Sequence, residues 1–193
     1  MSKLDDAIRF ATEAHSGQHR KINNSPYIVH PLEALTICAS LTSDEDVMCA
    51  AVLHDVVEDA NRSLEEVEQK FGTRVAMLVS CETENKRRDL PAELTWRIRK
   101  EETLEKLRAS DDIGVKVMWL SDKLSNVRSF YMGYQKEGDN LWNMFHQKDK
   151  KEQAWYYKEI LKVLKPCFNN TLAFQEFEQI LQVLFGKEII DEK

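Results

Sequence analysis

The sequence predicts an all-α fold, on the basis of its turn residues and the spacing of its apolar residues. The 193 residues include only six glycines and four prolines, which is little turn chemistry for a β-sandwich or barrel. Apolar residues recur at three- and four-residue intervals, and clean two-residue alternation is missing. With 42% hydrophobic residues, the chain can bury one core. We therefore expect a single domain over residues 1–193, built as a bundle of about eight to ten helices.

The N-terminal half contains three predicted helices followed by a helix pair. The first helix, LDDAIRFATEAHSG, ends near Gly17, a residue typical of helix C-termini. The second, HPLEALTICASLT, has Pro31 in its first turn, where proline is tolerated. The third spans SDEDVMCAAVLHDVVEDA, with acidic residues in its first turn. A capping box at Ser63 and Glu66 begins SLEEVEQKFGTRVAMLVSCETE, which we expect Gly72 to divide into two helices.

The C-terminal half contains four further predicted helices. PAELTWRIRKEETLEKLRAS and IGVKVMWLSDKLSNVRSFYMG are separated by the acidic break SDDIG. The last two, DKKEQAWYYKEILKVLK and TLAFQEFEQILQVLFGKE, are hinged at Pro166 and the following NN pair, and Thr171 is the expected N-cap of the second. The final helix is amphipathic, so its apolar residues could close the core or form the face of a homodimer. These residues are Phe174, Phe177, Ile180, Leu184 and Phe185.

Charge and composition exclude several classes of protein. A formal net charge of −6 argues against a general nucleic-acid or anionic-membrane surface, because both favour contiguous basic residues. No apolar segment is long enough to span a membrane, and the N-terminal MSKLDDAIRF lacks the apolar stretch of a signal peptide. The four cysteines are scattered and form no CxxC pair, which indicates reduced thiols. We expect a cytoplasmic protein with no nucleic-acid or membrane partner.

The segment AAVLHDVVEDA combines an apolar run with four residues suited to binding a cation. On one continuous helix, Asp55 shares a face with Glu58 and Asp59, while His54 lies about 100° around the helix axis. Two adjacent side chains can still reach one ion that sits against the side of the helix. Carboxylates near a helix C-terminus oppose the helix dipole, so this segment is costly unless a cation offsets its charge. A cation site is therefore expected here.

Two more residues could complete this site. His30 stands just before a helix in YIVHP, and Asp122 follows the apolar run VKVMWLS, where an uncompensated carboxylate would be costly. An ion pair with Lys123 or Arg128 is the alternative explanation of Asp122. Two imidazoles and two carboxylates would make a mixed nitrogen and oxygen ligand set. Such a set suits Mn, Fe, Co or Zn rather than a thiolate structural zinc site.

Four blocks of the sequence carry a family resemblance: AHSGQHRKINNSPYIVHPLEA, AAVLHDVVEDA, FGTRVAMLV and SDKLSNVR. Together they resemble the metal-dependent HD hydrolase domain of the RelA/SpoT group, especially its stand-alone small alarmone hydrolases. The resemblance covers residues 4–165 approximately and implies an HD-domain helical bundle on which residues 166–193 pack. It implies His30, His54, Asp55 and Asp122 as ligands of one Mn²⁺ ion. It also implies hydrolysis of the 3′-pyrophosphate of (p)ppGpp to GDP or GTP and pyrophosphate.

The same resemblance, together with residue chemistry, assigns roles around the ion. Glu58 and Asp59 are expected to orient the attacking water or take its proton. Arg20 and Lys21, in the short basic stretch GQHRK, could hold pyrophosphate or stack on a purine. Asn126 lies one helical turn after Asp122, where its amide could bind ribose or phosphate oxygens. The expected partner is a small-molecule nucleotide.

The sequence is compatible with two alternative functions. INNS stands where many family members have a glycine between RK and PYI, so the sequence does not decide whether the site prefers guanine over another base. An HD phosphohydrolase acting on an adenine alarmone or a dinucleotide phosphate is therefore one alternative. A non-catalytic module that binds nucleotides for regulation is the other. A nucleotide panel and metal analysis would separate these hypotheses.

Overall fold

A computed structural model describes residues 2–87, 89–187 and 190, and this part of the chain is all-α, as the sequence predicts. Within it lie ten α-helices and one 3-10 helix, and no strand. The helices are α1 Lys3–Ala14, α2 Val29–Leu41, α3 Glu45–Leu53, α4 Val56–Asp59, α5 Leu64–Phe71, α6 Thr73–Glu82, α7 Ala92–Ala109, α8 Ile113–Glu137, the 3-10 helix Gly138–Met144, α9 Lys150–Phe168 and α10 Leu172–Phe185.

The 25-residue helix α8 forms the centre of the fold. It packs against α2, α3, α6, α10 and the 3-10 helix, and it is buried on several faces. Its apolar residues Met118, Trp119, Leu120 and Leu124 are all at most 1% exposed, so they contribute to the core on different sides of the helix. Several polar residues in the middle of α8, among them Ser121 and Ser125, are also enclosed by the helices around it. Asp122 occupies such a position.

Local sequence signals define most of the helix ends. The Ser63 hydroxyl accepts from the amide of Glu66 at the start of α5, as expected for its N-cap. Gly72 has a φ of 95° and ends α5, so that α6 begins at the next residue. Thr171 caps α10 by accepting from the amide of Phe174. These three predictions of helix boundaries are confirmed.

The prediction of one continuous helix through SDEDVMCAAVLHDVVEDA is wrong. Helix α3 begins after Asp44 as its N-cap and ends at Leu53, and the four-residue helix α4 begins only at Val56. His54 Nδ1 lies 2.7 Å from the carbonyl oxygen of Ala51. In a continued α-helix that carbonyl would accept from the amide of Asp55. The histidine side chain occupies this acceptor, and the chain turns at the His54–Asp55 pair.

The C-terminal helices close one side of the core. Helix α9 continues past Pro166 to Phe168, so the break falls at the Asn169–Asn170 pair of the predicted hinge rather than at the proline. Helix α10 packs on α8. Phe174, Phe177, Leu184 and Phe185 are buried within the chain, and Ile180 is partly buried. Of the two uses considered for this helix, closing the core is the one that the structure shows. Within the described ranges, no helix combines the length and the apolarity that a membrane crossing requires.

Candidate metal centre and adjoining cavity

Side chains from three parts of the chain converge at one buried point. The first turn of α2 contributes His30, the turn between α3 and α4 contributes His54 and Asp55, and the middle of α8 contributes Asp122. The ligand atoms of His30, His54 and Asp122 all lie within 4.8 Å of one another, and the three residues are buried. Asp55 Oδ2 borders this group, at 3.1 Å from His54 Nε2 and 3.5 Å from His30 Nε2. The structure therefore brings together all four sequence-predicted ligands.

The shortest separations in this cluster join atoms that carry lone pairs. The two Nε2 atoms of His30 and His54 lie 3.2 Å apart. Asp122 Oδ1 lies 3.0 Å from His30 Nε2 and 3.3 Å from His54 Nε2. The carbonyl of Ala51 can only accept a hydrogen bond, so His54 Nδ1 carries a proton, and Nε2 is the ring nitrogen that faces the acidic groups and could bind a cation. The mixed nitrogen and oxygen donor set fits a divalent cation.

The carboxylates dominate the electrostatics of this cluster. Burial alone lowers the pKa of His54, but the adjacent Asp55 and Asp122 outweigh it and hold that pKa well above its usual value. Burial alone raises the pKa of Asp122, but Lys123 and His54 outweigh it, so that pKa is well below its usual value. Both directions show that the cluster favours positive charge at its centre.

Asp122 has two further partners on α8. Its Oδ2 accepts a hydrogen bond from Lys123, whose Nζ also donates to Glu82 Oε1 at 2.9 Å. Its Oδ1 accepts from the amide of Asn126 at 2.6 Å. The ion pair of Asp122 with Lys123 is thus present beside the histidines. Arg128, the other partner considered from the sequence, instead bonds acidic residues of α2 and α10.

The acidic pair predicted to handle the attacking water lies on α4. Glu58 Oε2 accepts from the backbone amide of Glu84 at 3.0 Å, and Glu58 Oε1 lies 3.3 Å from Lys86 Nζ. Lys86 also donates to Asp59. Burial raises the pKa of Glu58, and the negative charges of Glu84 and Asp55 raise it further, while Lys86 lowers it. The result is a pKa above the usual value, which suits a group that exchanges protons with water.

A cavity of about 690 Å³ opens beside this pair. Its volume lies within the range of roughly 300–1,000 Å³ typical of small-molecule sites. Glu58, Asp59 and Asn126 line it, and so do Arg20 and Lys21. The cationic side chains in its wall are Arg20, Lys21, Lys86, Arg99, Lys100 and Lys123. The predicted substrate-binding residues therefore face the same space as the predicted catalytic pair, and this space suits an anionic ligand.

A short loop presents Arg20 to this cavity. The amide of Arg20 donates to the carbonyl of Ser25 at 2.8 Å, and Asn24 adopts a left-handed φ of 55° that the turn requires. This is the INNS segment of the sequence. Arg20 Nη2 donates to Asn126 Oδ1 at 2.9 Å, and Asn126 in turn donates to Asp122. Asn126 thus links the guanidinium at the cavity wall to the proposed metal ligand.

The sequence reasoning missed two residues that contact the acidic groups. The Tyr27 hydroxyl donates to Asp55 Oδ2 at 2.7 Å and lies 3.3 Å from Asp59 Oδ2. Its position three residues before His30 in PYIVH is a signal that could have identified it. Lys86, within the polar stretch 86–90, carries no local signal for its contact with α4. Tyr156 also lines the cavity.

An all-α bundle that gathers two imidazoles and two carboxylates at a buried point, beside an open cavity, has the features of a domain that could bind a divalent cation. A comparison with protein families finds a match to the model described as "HD domain" over residues 7–155. The chain belongs to the HD domain family.

Similar proteins include two longer bacterial chains. The chain is 32% identical over 166 residues, 85% of its length, to a guanosine-3′,5′-bis(diphosphate) 3′-pyrophosphohydrolase of Aquifex aeolicus. It is 34% identical over 134 residues, 67% of its length, to the bifunctional (p)ppGpp synthase/hydrolase SpoT of Escherichia coli. The matched segments cover 21% and 18% of those two relatives, so the chain spans only about a fifth of their length.

Two solved structures are also similar. One is that of a metazoan SpoT orthologue described as hydrolysing ppGpp, with a TM-score of 0.74 and 27% identity over 95% of this chain and 96% of the other. The second is lmo0812 of Listeria monocytogenes, with a TM-score of 0.70 and 30% identity over 82% of this chain and 99% of the other. The architecture is therefore shared with an HD hydrolase of nearly the same extent.

Proposed function

We propose that this protein is a metal-dependent hydrolase that removes the 3′-pyrophosphate of (p)ppGpp, releasing GDP or GTP and pyrophosphate. The observation that carries the proposal is the convergence of His30, His54, Asp55 and Asp122 at a buried point beside a cavity with a cationic wall. The names of the similar proteins supply the substrate. We further propose Mn²⁺ as the bound ion, with Fe, Co and Zn as the competing choices for this ligand set.

The four proposed ligands leave room for water and substrate beside the ion. A divalent cation held there lowers the pKa of a bound water and neutralises charge on the phosphoryl group under attack. In the proposed reaction, the water oxygen forms a bond to the phosphorus attached to the 3′-oxygen. The bond between that phosphorus and the 3′-oxygen breaks, and the 3′-oxygen takes up a proton. Pyrophosphate leaves with the oxygen that water supplied.

Glu58 and Asp59 are proposed to orient the attacking water and take its proton. Both line the cavity, and Glu58 has the raised pKa described above. Tyr27 and Lys86 both contact the pair, since the Tyr27 hydroxyl lies 3.3 Å from Asp59 Oδ2 and Lys86 contacts both carboxylates. These contacts help to orient the pair before substrate enters, as efficient proton transfer requires.

The substrate is proposed to bind along the cationic wall of the cavity. Arg20 donates hydrogen bonds to the neutral side chains of Asn126 and Ser129, so its positive charge is available to a phosphate or to stacking on a purine. Lys21 follows it in the same wall. Asn126 is proposed to contact ribose or phosphate oxygens while it holds Asp122. These contacts would place the 3′-pyrophosphate next to the ion.

The direct test is pyrophosphate release from guanosine tetraphosphate by purified protein loaded with one equivalent of Mn²⁺. We expect release by the unaltered protein. Glu58→Gln is expected to keep its metal content but lose roughly 10²–10⁴-fold in kcat, the range for loss of a general base. Atomic absorption on the same samples measures the metal. Fully loaded protein that releases no pyrophosphate would contradict the proposal.

The same assay distinguishes the alternatives. Turnover of an adenine alarmone or a dinucleotide phosphate in place of guanosine tetraphosphate would indicate a different nucleotide hydrolase. Saturable nucleotide binding with no turnover of any of them would indicate a regulatory module. The homodimer, the cytoplasmic location and the single domain over 1–193, all expected from the sequence, stay predictions.

A further inference from the structure

A chain of hydrogen bonds runs from His30 away from the cavity to the C-terminal helix. His30 Nδ1 lies 2.8 Å from Ser125 Oγ, and Ser125 Oγ donates to Glu33 Oε2 at 2.7 Å. The other carboxylate oxygen of Glu33 accepts from Arg128 Nη1 at 3.0 Å. Arg128 then forms a bidentate pair with Glu176 of α10, at 2.7 and 2.6 Å. These five residues link α2, α8 and α10.

The chemistry of the partners sets the direction of each hydrogen bond. The Glu33 carboxylate accepts from Arg128 with one oxygen, so the Ser125 hydroxyl must donate to the other. The Ser125 oxygen is then the acceptor for the proton on His30 Nδ1. His30 Nε2 is left with its lone pair facing Asp122 and His54. The arrangement therefore selects the imidazole tautomer that can ligate a cation.

The inner residues of this chain of hydrogen bonds are buried, and the outer residues are partly exposed. His30 is 3% exposed and Ser125 is fully buried, so no water can replace the hydroxyl if it is lost. The side chains of Glu33 and Arg128 are each 33% exposed. Arg128 holds Glu33 in place, and Glu176 of α10 holds Arg128 through both of its oxygens. The outer part of the chain is therefore anchored by the C-terminal helix.

We propose that Ser125 and Glu33 are positioning residues for His30, and that the Arg128–Glu176 pair makes cation affinity depend on the docking of α10. The inference rests on the metal site of the proposed function. Ser125 fixes the proton on Nδ1, and Glu33 fixes the orientation of the Ser125 hydroxyl. The ion pair between Arg128 of α8 and Glu176 of α10 thereby acts on a buried ligand through two intermediates, Glu33 and Ser125.

Ser125→Ala tests the inner step, with Ser121→Ala as its matched control. Ser121 lies one turn earlier on α8, is also fully buried, and donates to the Val117 carbonyl of its own helix. The full chain is stripped of metal and titrated with Mn²⁺ against a fluorescent chelator, so that affinity is measured without turnover. Ser125→Ala is expected to bind Mn²⁺ about 10–100-fold more weakly, the usual loss for a partner of a metal-bound histidine. Ser121→Ala is expected to bind like the unaltered protein.

Glu33→Gln and Glu176→Gln test the outer steps at positions where a change of fold is not expected, because both side chains are partly exposed. Glu33→Gln removes the charge and keeps the shape, and we expect a clear loss of Mn²⁺ affinity. Glu176→Gln should give a smaller loss, since Arg128 still contacts Glu33. Mn²⁺ affinity equal to the unaltered protein in both Ser125→Ala and Glu33→Gln would overturn the inference. Failure of the unaltered chain to bind Mn²⁺ would instead reject the proposed metal site.

Discussion

Replacing Lys86 with methionine should move the pH dependence of the proposed reaction upward. Lys86 Nζ lies 3.3 Å from Glu58 Oε1, and its charge lowers the pKa of Glu58 against the raising effects of burial, Glu84 and Asp55. Methionine keeps much of the side-chain length and removes the charge. Without Lys86, the Glu58 carboxylate has lost its nearby cation, so its pKa rises further. The active, ionised form of Glu58 is then lost at a higher pH as the solution is acidified.

The distance sets the size of this effect. Two unit charges 3.3 Å apart interact by ~1.3 kcal/mol in the dielectric of water, and by about four times that at an effective dielectric of about 20. The Lys86 and Glu58 side chains are 30% and 18% exposed, so the pair is only partly screened and the lower figure is a lower bound. Because 1.36 kcal/mol corresponds to about one pKa unit, the acid limb of kcat/KM should move up by at least about one pH unit.

The assay is kcat/KM for guanosine tetraphosphate across a range of pH in Mn²⁺-loaded protein. Lys86→Arg is the control, because it retains the positive charge and should leave the acid limb near its original position. Lys86→Met that folds normally and keeps the acid limb of the unaltered protein would refute the assignment of Glu58 as the titrating base. A fall in kcat/KM by the same factor at every pH would place Lys86 in substrate binding instead.

Three further outcomes are expected. Tyr27→Phe should lower kcat/KM about tenfold or more, since a hydrogen bond to a charged group is worth about 1.5–3 kcal/mol and Asp55 loses one, and an unchanged value would argue against a positioning role for the hydroxyl. Gly133→Ala should lower Tm by about 2–4 °C for each kcal/mol lost, because an added Cβ would meet Leu141 Cδ1 at 2.7 Å and Ile22 Cγ2 at 2.8 Å, and thermal melting with full metal would reveal it. Removal of Mn²⁺ with a chelator should lower Tm by about 5–10 °C if the ion is present at roughly 100 times its Kd, since only the folded chain gathers the ligands, and equal melting of both forms would contradict this.

Patterns that act within a few residues were predictable from the sequence. Ser63 and Thr171 cap helices through their own hydroxyls, and the glycine at position 72 ends a helix through its backbone freedom. The residues that meet at the candidate metal centre were also recognisable, since Asp122 follows an apolar run and His54 precedes Asp55 in another. Burying such a group without a partner is energetically costly, so a shared cation was the simplest explanation.

Features that depend on a particular side-chain contact were not predictable in the same way. The break after Leu53 arises because the imidazole of His54 takes a carbonyl of its own helix, which residue periodicity does not reveal. Lys86 reaches α4 from a loop, and Glu33 meets Ser125 from a different helix. The contacts of Lys86 and Glu33 are set by how the helices pack, and charged residues in loops carry no spacing that encodes their partners.

The order of the proposed ligands along the chain determines when all four are available during synthesis of the protein. His30, His54 and Asp55 leave the ribosome well before Asp122, which stands in the middle of α8. A nascent chain that lacks α8 offers only three of the four proposed ligands. The four come together only when α8 packs against α2 and α3. If the proposed metal site is correct, the ion would therefore bind with all four ligands only late in synthesis, when the core closes.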